Sequence, residues 1–128
     1  MNEQLPLFVY GTLLRGESRH DLVAVAAEEI QEAVMPGARL HDLGAFPMLS
    51  PGLGRVQGEL IWLRPETYAL TLATLDQVEG VDSGLFQRVR RPVLLTGCGP
   101  LLDAWVYIGN EAIATNYPVV ASGDWRRR

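Results

Sequence analysis

The chain has 128 residues, of which 48% are hydrophobic and 20% charged, with a net charge of −4 at neutral pH. This length and composition predict one globular domain that spans residues 1–128 and has a core of its own. The acidic balance argues against a nucleic-acid partner, because the phosphate backbone attracts a positive surface. No window reaches the roughly 18 apolar residues of a membrane span, and no basic region precedes the first apolar run, so we expect a cytoplasmic protein without a membrane partner.

The first predicted element is a buried strand at residues 7–10, where LFVY is an unbroken apolar and aromatic run. The loop that follows is bracketed by Gly11 and Gly16. Such a loop can turn several backbone N–H groups toward one point and bind a carboxylate without a charged side chain. The alternative is that Gly11 only begins a turn after a core strand. The loop lacks the Lys-Ser/Thr of a P-loop and the G-x-G-x-x-G pattern, so nucleotide binding is disfavoured.

The middle of the chain predicts one helix, two strands and a turn region. Helical spacing of Leu22, Val25, Ala26 and Ile30 predicts a helix over 21–32. A short strand is predicted over 39–43, and a region dense in Pro and Gly over 44–54, from which Phe46 and Met48 reach the core. Alternating apolar residues then predict a strand over 56–63.

The second half predicts a helix and a β-hairpin. Pro65 suits the first turn of a helix and Gly80 its C-terminal stop. The runs 86–95 and 101–108 predict two hairpin strands. Residues 109–128 are expected to be irregular until Trp125 packs, and the arginines that end the chain suit a solvated tail or a partner contact. About five strands and two helices make a mixed α+β domain.

Cys98 is the only cysteine, and His20 and His41 are the only histidines. A disulfide within the chain is therefore impossible, and cysteine-based and multi-histidine metal sites are ruled out. We expect no metal and no cofactor, and a reducing compartment fits. A nucleophilic pairing of Cys98 with a histidine is disfavoured, because the cysteine lies in the turn-like sequence TGCGP.

Glu79 is the most informative residue of the second predicted helix. At about 100° per residue, Tyr68, Leu72 and Leu75 form one apolar stripe, and Glu79 continues this stripe whereas Asp76 falls off it. Burial and the negative potential of a helix C-terminus both predict a raised pKa for the Glu79 carboxyl. A group of this kind suits the transfer of a proton near neutral pH.

The residues alone leave alternatives to this role. The last helical turn can fray and let Glu79 bend into solvent, or its carboxylate can pair with Arg88 or Arg90 on the next strand. Tyr10 and Tyr107 each end an apolar β run, where a hydroxyl either lines a cavity mouth or packs in the core.

Several motifs together resemble the γ-glutamylcyclotransferase-like, or AIG2-like, family. In the family's order they are VYGTLLRG with His20 shortly after it, HDLGAFPML, VQGELIWL, LDQVEG followed by FQR, AWVY, and GDW. The pair of Y-G-T-L after a strand and L-D-x-x-E-G at a helix end is more specific than either motif alone. This chain departs from the family at Phe86, where the family commonly has the tyrosine of Tyr-x-Arg.

The resemblance implies a small mixed, barrel-like sheet of about five to six strands with two flanking helices around a cavity. It also implies conversion of γ-glutamyl amines or peptides into 5-oxoproline and the freed amine, without a cofactor. The residues expected to bind the glutamyl group are Tyr10, Gly11, Thr12 and Leu13, with Tyr107 at the cavity mouth.

Glu79 is the general acid/base in the reaction that the resemblance implies. The substrate's own α-amine attacks its γ-carbonyl, so the protein has to hold the glutamyl chain in a near-attack conformer and Glu79 has to move the proton. The expected partner is a small-molecule γ-glutamyl substrate. A second hypothesis is a non-catalytic module that binds an anionic metabolite in the same cavity, which the missing tyrosine at position 86 favours. A purely structural subunit is the third possibility.

Overall fold

A computed structural model describes residues 4–96 and 100–128, and its five strands close into one barrel. The strands are β1 (Leu7–Val9), β2 (Ala27–Asp42), β3 (Pro47–Leu63), β4 (Phe86–Leu95) and β5 (Leu101–Gly109). Their spatial order is β1-β3-β2-β4-β5. The ring closes where β1 pairs with β5 in parallel, and the other pairings are antiparallel. The predicted mixed α+β class is confirmed.

The segment after the first loop is mostly strand, and the predicted helix over 21–32 is wrong. The helix α1 is the single turn Asp21–Ala24, and β2 already begins at Ala27. Val25, which the helical spacing assigns to a buried face, is 86% exposed. The physical reason is that β2 pairs with β3 along nearly its whole length, and a continuous ladder overrides local helix propensity.

The turn region predicted over 44–54 is also largely strand, because β3 begins at Pro47. The strands predicted over 39–43 and 56–63 are thus the ends of one long hairpin. A bulge between Pro36 and Ala38 interrupts this ladder, with Gly37 at a φ of 73°. The ladder resumes beyond the bulge, so the proline-rich stretch of β3 stays paired.

The helix and strands of the second half follow the predictions closely. A 3-10 turn at Pro65–Thr67 leads into α2 (Tyr68–Val78), and Gly80 ends the helix with a φ of 69°. Strand β4 has the predicted bounds, and β5 extends one residue beyond them. The interpretation of Cys98 concerns residues 97–99, which lie outside the described residues.

The C-terminal segment contains two short helical turns that the sequence does not predict, α3 (Glu111–Ala114) and a 3-10 turn at Trp125–Arg127. Trp125 is buried as predicted. The final arginines are exposed, as expected of a solvated tail, but they also contact their own chain. Arg126 donates to the Arg15 carbonyl, and the Arg128 guanidinium lies 3.5 Å from the Trp125 ring centroid.

The hydrophobic core covers both faces of the sheet and includes Leu7, Phe8, Leu60 and Val106 of the strands and Leu75 of α2. Met48 is fully buried and Phe46 packs against this core from a half-buried position, as predicted. No helix in the described segments is both long enough and apolar enough to cross a membrane.

Candidate active site

The loop that leaves β1 is held by main-chain contacts on its outer side. Leu14 N–H donates to the Gly11 carbonyl (3.1 Å), and Arg19 N–H donates to the Thr12 carbonyl (2.7 Å). The Nδ1 atom of His20 donates to the Leu13 carbonyl at 2.9 Å. By contrast, the N–H groups of Gly11, Thr12 and Leu13 have no hydrogen-bond partner among the described residues. Such amides are suited to an anionic ligand.

Glu59 anchors the same loop from β3, and the sequence analysis did not single it out. Its side chain is 3% exposed, and it accepts hydrogen bonds from both Arg15 N–H and Arg15 Nε, each at 2.8 Å. A buried carboxylate needs such partners. The sequence feature that could have identified Glu59 is its position as an acidic residue within the apolar strand sequence VQGELIWL.

Gly11 is required by the close approach of the β2–β3 turn. A Cβ atom at this position would lie 2.4 Å from Pro47 Cγ, well inside the contact distance of two carbon atoms. The glycine therefore lets the loop pack directly on Pro47. Both residues border a cavity at this end of the barrel.

The cavity has a volume of about 100 Å³ and brings together all six of the predicted site residues. The predicted residues that line it are Tyr10, Gly11, Thr12, Leu13, Glu79 and Tyr107. The sequence analysis did not assign the remaining side chains to the site; they include Arg19, Phe46, Val78, Leu85 and Phe86. The space exceeds what one water molecule needs. Glu79 and the glycine loop thus share one hollow, while the binding and catalytic roles of these residues stay predictions.

Glu79 directly follows α2, and its N–H donates to the Leu75 carbonyl at 2.8 Å. Burial raises the pKa of its carboxyl, and the positive charge of Arg19 offsets part of this rise. The proposed alternative pairs are not formed: Arg88 binds Asp76 at 2.7 Å and Arg90 binds Asp103 at 2.8 Å. The carboxyl therefore faces the cavity without a salt bridge to either arginine.

Asp76 links the cavity to the outer surface of the barrel. It accepts a hydrogen bond from the Tyr107 hydroxyl at 2.7 Å, and Arg88 contacts both of its oxygens at 2.7 and 3.1 Å. The Arg88 guanidinium in turn lies 4.5 Å from the ring centroid of Trp105. Burial tends to raise the pKa of Asp76, but these two donors and the arginine charge together lower it. Asp76 therefore positions Tyr107. The sequence did not indicate this role, because Asp76 lies off the apolar stripe of α2 and reads as a surface residue.

The two tyrosines keep their protons. Burial, reinforced by the nearby Glu79 carboxylate, raises the pKa of Tyr10. Burial and the hydrogen bond to Asp76 raise the pKa of Tyr107. The Tyr10 hydroxyl donates to the Tyr107 carbonyl at 2.5 Å. Both hydroxyl protons are therefore engaged within the protein, and the Tyr10 oxygen itself accepts a hydrogen bond from the Leu49 backbone.

Replacing Asp76 by Asn is expected to lower the free energy of unfolding by about 1 kcal/mol at pH 7, because a partly exposed charged hydrogen-bond network is lost. A carboxyl with a depressed folded pKa stabilises the protein above its unfolded pKa and loses that contribution as pH falls through the folded pKa. The difference in the free energy of unfolding between wild type and Asp76→Asn should therefore shrink below about pH 4. Urea unfolding at pH 7 and pH 3 measures it.

Asp103→Asn is the matched control for this prediction. Asp103 on β5 pairs with Arg90 on β4, but the two side chains are 44% and 49% exposed. We expect a loss below about 0.5 kcal/mol at either pH. Equal losses for the two variants would contradict the positioning role of Asp76.

No group of three or more His, Asp or Glu side chains within residues 4–96 and 100–128 is placed to hold a metal ion. The fold and the site define a small closed barrel with a cavity whose lining includes both an acid with a raised pKa and a glycine loop with unpaired amides. A concave site with apolar walls and a few polar groups is typical of small-molecule binding.

The chain belongs to the gamma-glutamyl cyclotransferase, AIG2-like family, whose model matches residues 7–127. The resemblance inferred from the motifs is thereby confirmed. A relative from Vibrio cholerae, which carries the provisional name gamma-glutamylcyclotransferase, is 38% identical over 122 residues, covering 95% of this chain and 96% of that protein.

Solved structures agree with this assignment. The solution structure of YtfP from Escherichia coli is similar with a TM-score of 0.69 and 26% identity, covering 94% of this chain and 96% of that one. The crystal structure of an AIG2-like protein from mouse has a TM-score of 0.72 at 24% identity, covering 89% of this chain and 84% of that one. The mouse structure supports the fold alone.

Proposed function

We propose that the protein is a γ-glutamyl cyclotransferase that converts a γ-glutamyl amine or peptide into 5-oxoproline and the free amine. The observation that carries the proposal is the shared cavity of Glu79, whose pKa is raised by burial, and the loop with unpaired amides. Membership in the family supports the reaction class. In the proposed reaction Glu79 is the general acid/base, and no cofactor takes part.

In the proposed reaction, the α-amine of the substrate attacks its own γ-carbonyl. One C–N bond forms to close the five-membered lactam, and the C–N bond to the leaving amine breaks. The α-ammonium nitrogen loses two protons overall, and the leaving nitrogen gains two, so no external acid, base or redox partner is consumed. Glu79 accepts a proton from the attacking nitrogen and delivers it to the leaving nitrogen.

The loop supplies the orientation that an intramolecular attack needs. The amides of Gly11, Thr12 and Leu13 bind the α-carboxylate of the glutamyl group, so that the α-amine is held near Glu79. Phe46 and Phe86, whose ring centroids are 6.2 Å apart, provide an apolar wall for the methylene chain. Holding the two reacting ends together can supply a large part of the rate enhancement, because a near-attack conformer removes rotational freedom before the chemical step.

The experiment that tests the proposal is a panel of γ-glutamyl amines, γ-glutamyl amino acids and short γ-glutamyl peptides, with 5-oxoproline detected by mass spectrometry. We expect turnover of at least one class at a rate well above that of the buffer control. The panel needs α-glutamyl isomers as controls, because their amide is at the α-carbonyl, so closing a five-membered lactam at the γ-carboxyl does not release the amine or free 5-oxoproline. Absence of 5-oxoproline from every γ-glutamyl compound would overturn the proposed activity.

A binding module without catalysis is the second candidate. The observation that favours it is the buried Phe86, which stands where the family commonly has a tyrosine hydroxyl and lines the cavity. Calorimetry with 5-oxoproline and with an unreactive γ-glutamyl analogue distinguishes the two functions. Tight binding of the analogue together with no turnover of the panel would favour the module, whereas turnover would reject it.

A further inference from the structure

Arg19 is a cation on the rim of the cavity that the reaction scheme does not use. It lies in the loop before α1, its side chain is exposed, and it lines the cavity together with Glu79. Its main chain is held by the 2.7 Å hydrogen bond from its N–H to the Thr12 carbonyl. The base of this side chain is therefore fixed to the loop that borders the site.

The guanidinium group of Arg19 has no hydrogen bond or ion pair with another described residue. Two other arginines are engaged in ion pairs, Arg15 with Glu59 and Arg88 with Asp76. Arg19 is nevertheless close enough to Glu79 for its charge to lower the pKa of that carboxyl. A positive charge with free donors thus stands at the opening through which a ligand enters.

We propose that Arg19 determines substrate specificity by binding a carboxylate on the leaving amine. The favoured substrates are then γ-glutamyl amino acids or short peptides with a carboxylate near the scissile amide, not γ-glutamyl derivatives of neutral amines. This inference rests on the proposed function.

The leaving group is the part of the substrate that meets the Arg19 side chain, because the loop amides are assigned to the glutamyl group. The α-carboxylate occupies the loop amides in the proposed reaction, and the scissile amide is at the other end of the glutamyl chain. What is attached to that amide extends toward the exposed rim, where the guanidinium is free. A guanidinium presents paired N–H donors that match the two oxygens of a carboxylate.

Arg19 also acts on Glu79, and the two effects are separable. A change in the pKa of Glu79 alters the rates for every substrate together, whatever the leaving amine is. A contact with the leaving carboxylate alters only substrates that carry one. The ratio of kcat/KM between two substrates that differ solely in this carboxylate therefore measures the proposed contact.

The test compares γ-glutamylglycine with γ-glutamylmethylamide, whose leaving amines differ by one carboxylate. We expect the wild type to favour γ-glutamylglycine by about 10- to 100-fold in kcat/KM, the range of a hydrogen-bonded charge pair. Arg19→Gln should bring the ratio close to one, and Arg19→Lys should keep part of it. Arg91→Gln, an exposed change on β4, is the matched control and should leave the ratio unchanged.

The outcomes separate this inference from the proposed function. If the wild type turns over both compounds with a kcat/KM ratio near one, the role of Arg19 is overturned. The same holds if Arg19→Gln leaves the ratio unchanged. In either case the cyclotransferase activity is still supported. Absence of turnover of either compound and of every other γ-glutamyl compound would overturn both. Thermal melting of each variant checks that the changes in ratio come from folded protein.

Discussion

Glu79→Gln is expected to reduce 5-oxoproline formation by at least about 100-fold, the smaller limit for loss of a positioned acid/base group. Glutamine has nearly the shape of glutamate but does not exchange a proton near neutral pH. The loss should appear in kcat, with binding of an unreactive γ-glutamyl analogue retained, because the loop amides are unchanged. Steady-state kinetics and calorimetry on the same preparations measure the two quantities.

Asp82→Asn is the matched control for Glu79→Gln. It removes one carboxylate three residues further along, at an exposed position, and should leave the rate within about twofold, as expected of a surface change away from the site. Equal turnover by wild type and Glu79→Gln would remove Glu79 from the mechanism. Equal losses in both variants would point to net charge as the cause.

The pH dependence of the wild type follows from the raised pKa of Glu79, around which Arg19, Tyr10 and Tyr107 are the charged or titratable neighbours. A base must be ionised, so kcat/KM should rise with pH through a value above the ordinary glutamate pKa. Stability should change in the opposite sense. The folded state binds the proton more tightly than the unfolded state, so the free energy of unfolding increases as pH falls through the folded pKa. Glu79→Gln should remove both effects.

Gly58→Ala is expected to lower the free energy of unfolding by about 3 kcal/mol, at the upper end of the usual cost of overpacking. A Cβ atom at this position of β3 would lie 2.2 Å from the Val9 carbonyl oxygen and 2.7 Å from Phe8 Cζ. The backbone oxygen cannot rotate away, so β1 itself has to shift. Because β1 carries the loop at Gly11 on its carboxyl end, the cavity should be distorted as well. Urea unfolding measures the loss.

Gly52→Ala provides the comparison on the same strand. Its Cβ atom would meet only the side chain of Arg39, at 2.7 Å, and a long, exposed side chain can rotate away. We expect a change below about 0.5 kcal/mol, as for other surface substitutions. A small effect of Gly58→Ala, similar to that of Gly52→Ala, would show that β1 is free to move away from β3.

Local sequence signals were sufficient for the elements that frame the site. The apolar run before Gly11, the stop at Gly80 and the paired runs 86–95 and 101–108 each depend on neighbouring residues, and these elements match the structure. The stripe through Leu72 and Leu75 likewise predicts that Glu79 faces inward, and it lines the cavity.

Features that depend on distant partners could not be predicted in this way. The spacing of residues 21–32 is compatible with a helix, and only the ladder with β3 makes most of this segment a strand. The role of Asp76 depends on Tyr107, 31 residues further along the chain. The burial of Glu59 depends on Arg15, which is 44 residues away. A polar residue acquires such a role only once the fold has brought its partner close.

The parallel contact of β1 with β5 has a consequence for how the protein folds. The Tyr10 hydroxyl donates to the carbonyl of Tyr107, a residue 97 positions away. Both residues line the cavity, so the cavity is built from both halves of the polypeptide. Contacts of such long sequence separation carry a large loop-closure entropy and slow the search for the native topology. Competence to hold a ligand should therefore arise with the last cooperative step of refolding, and a stopped-flow signal from a bound reporter should follow that step.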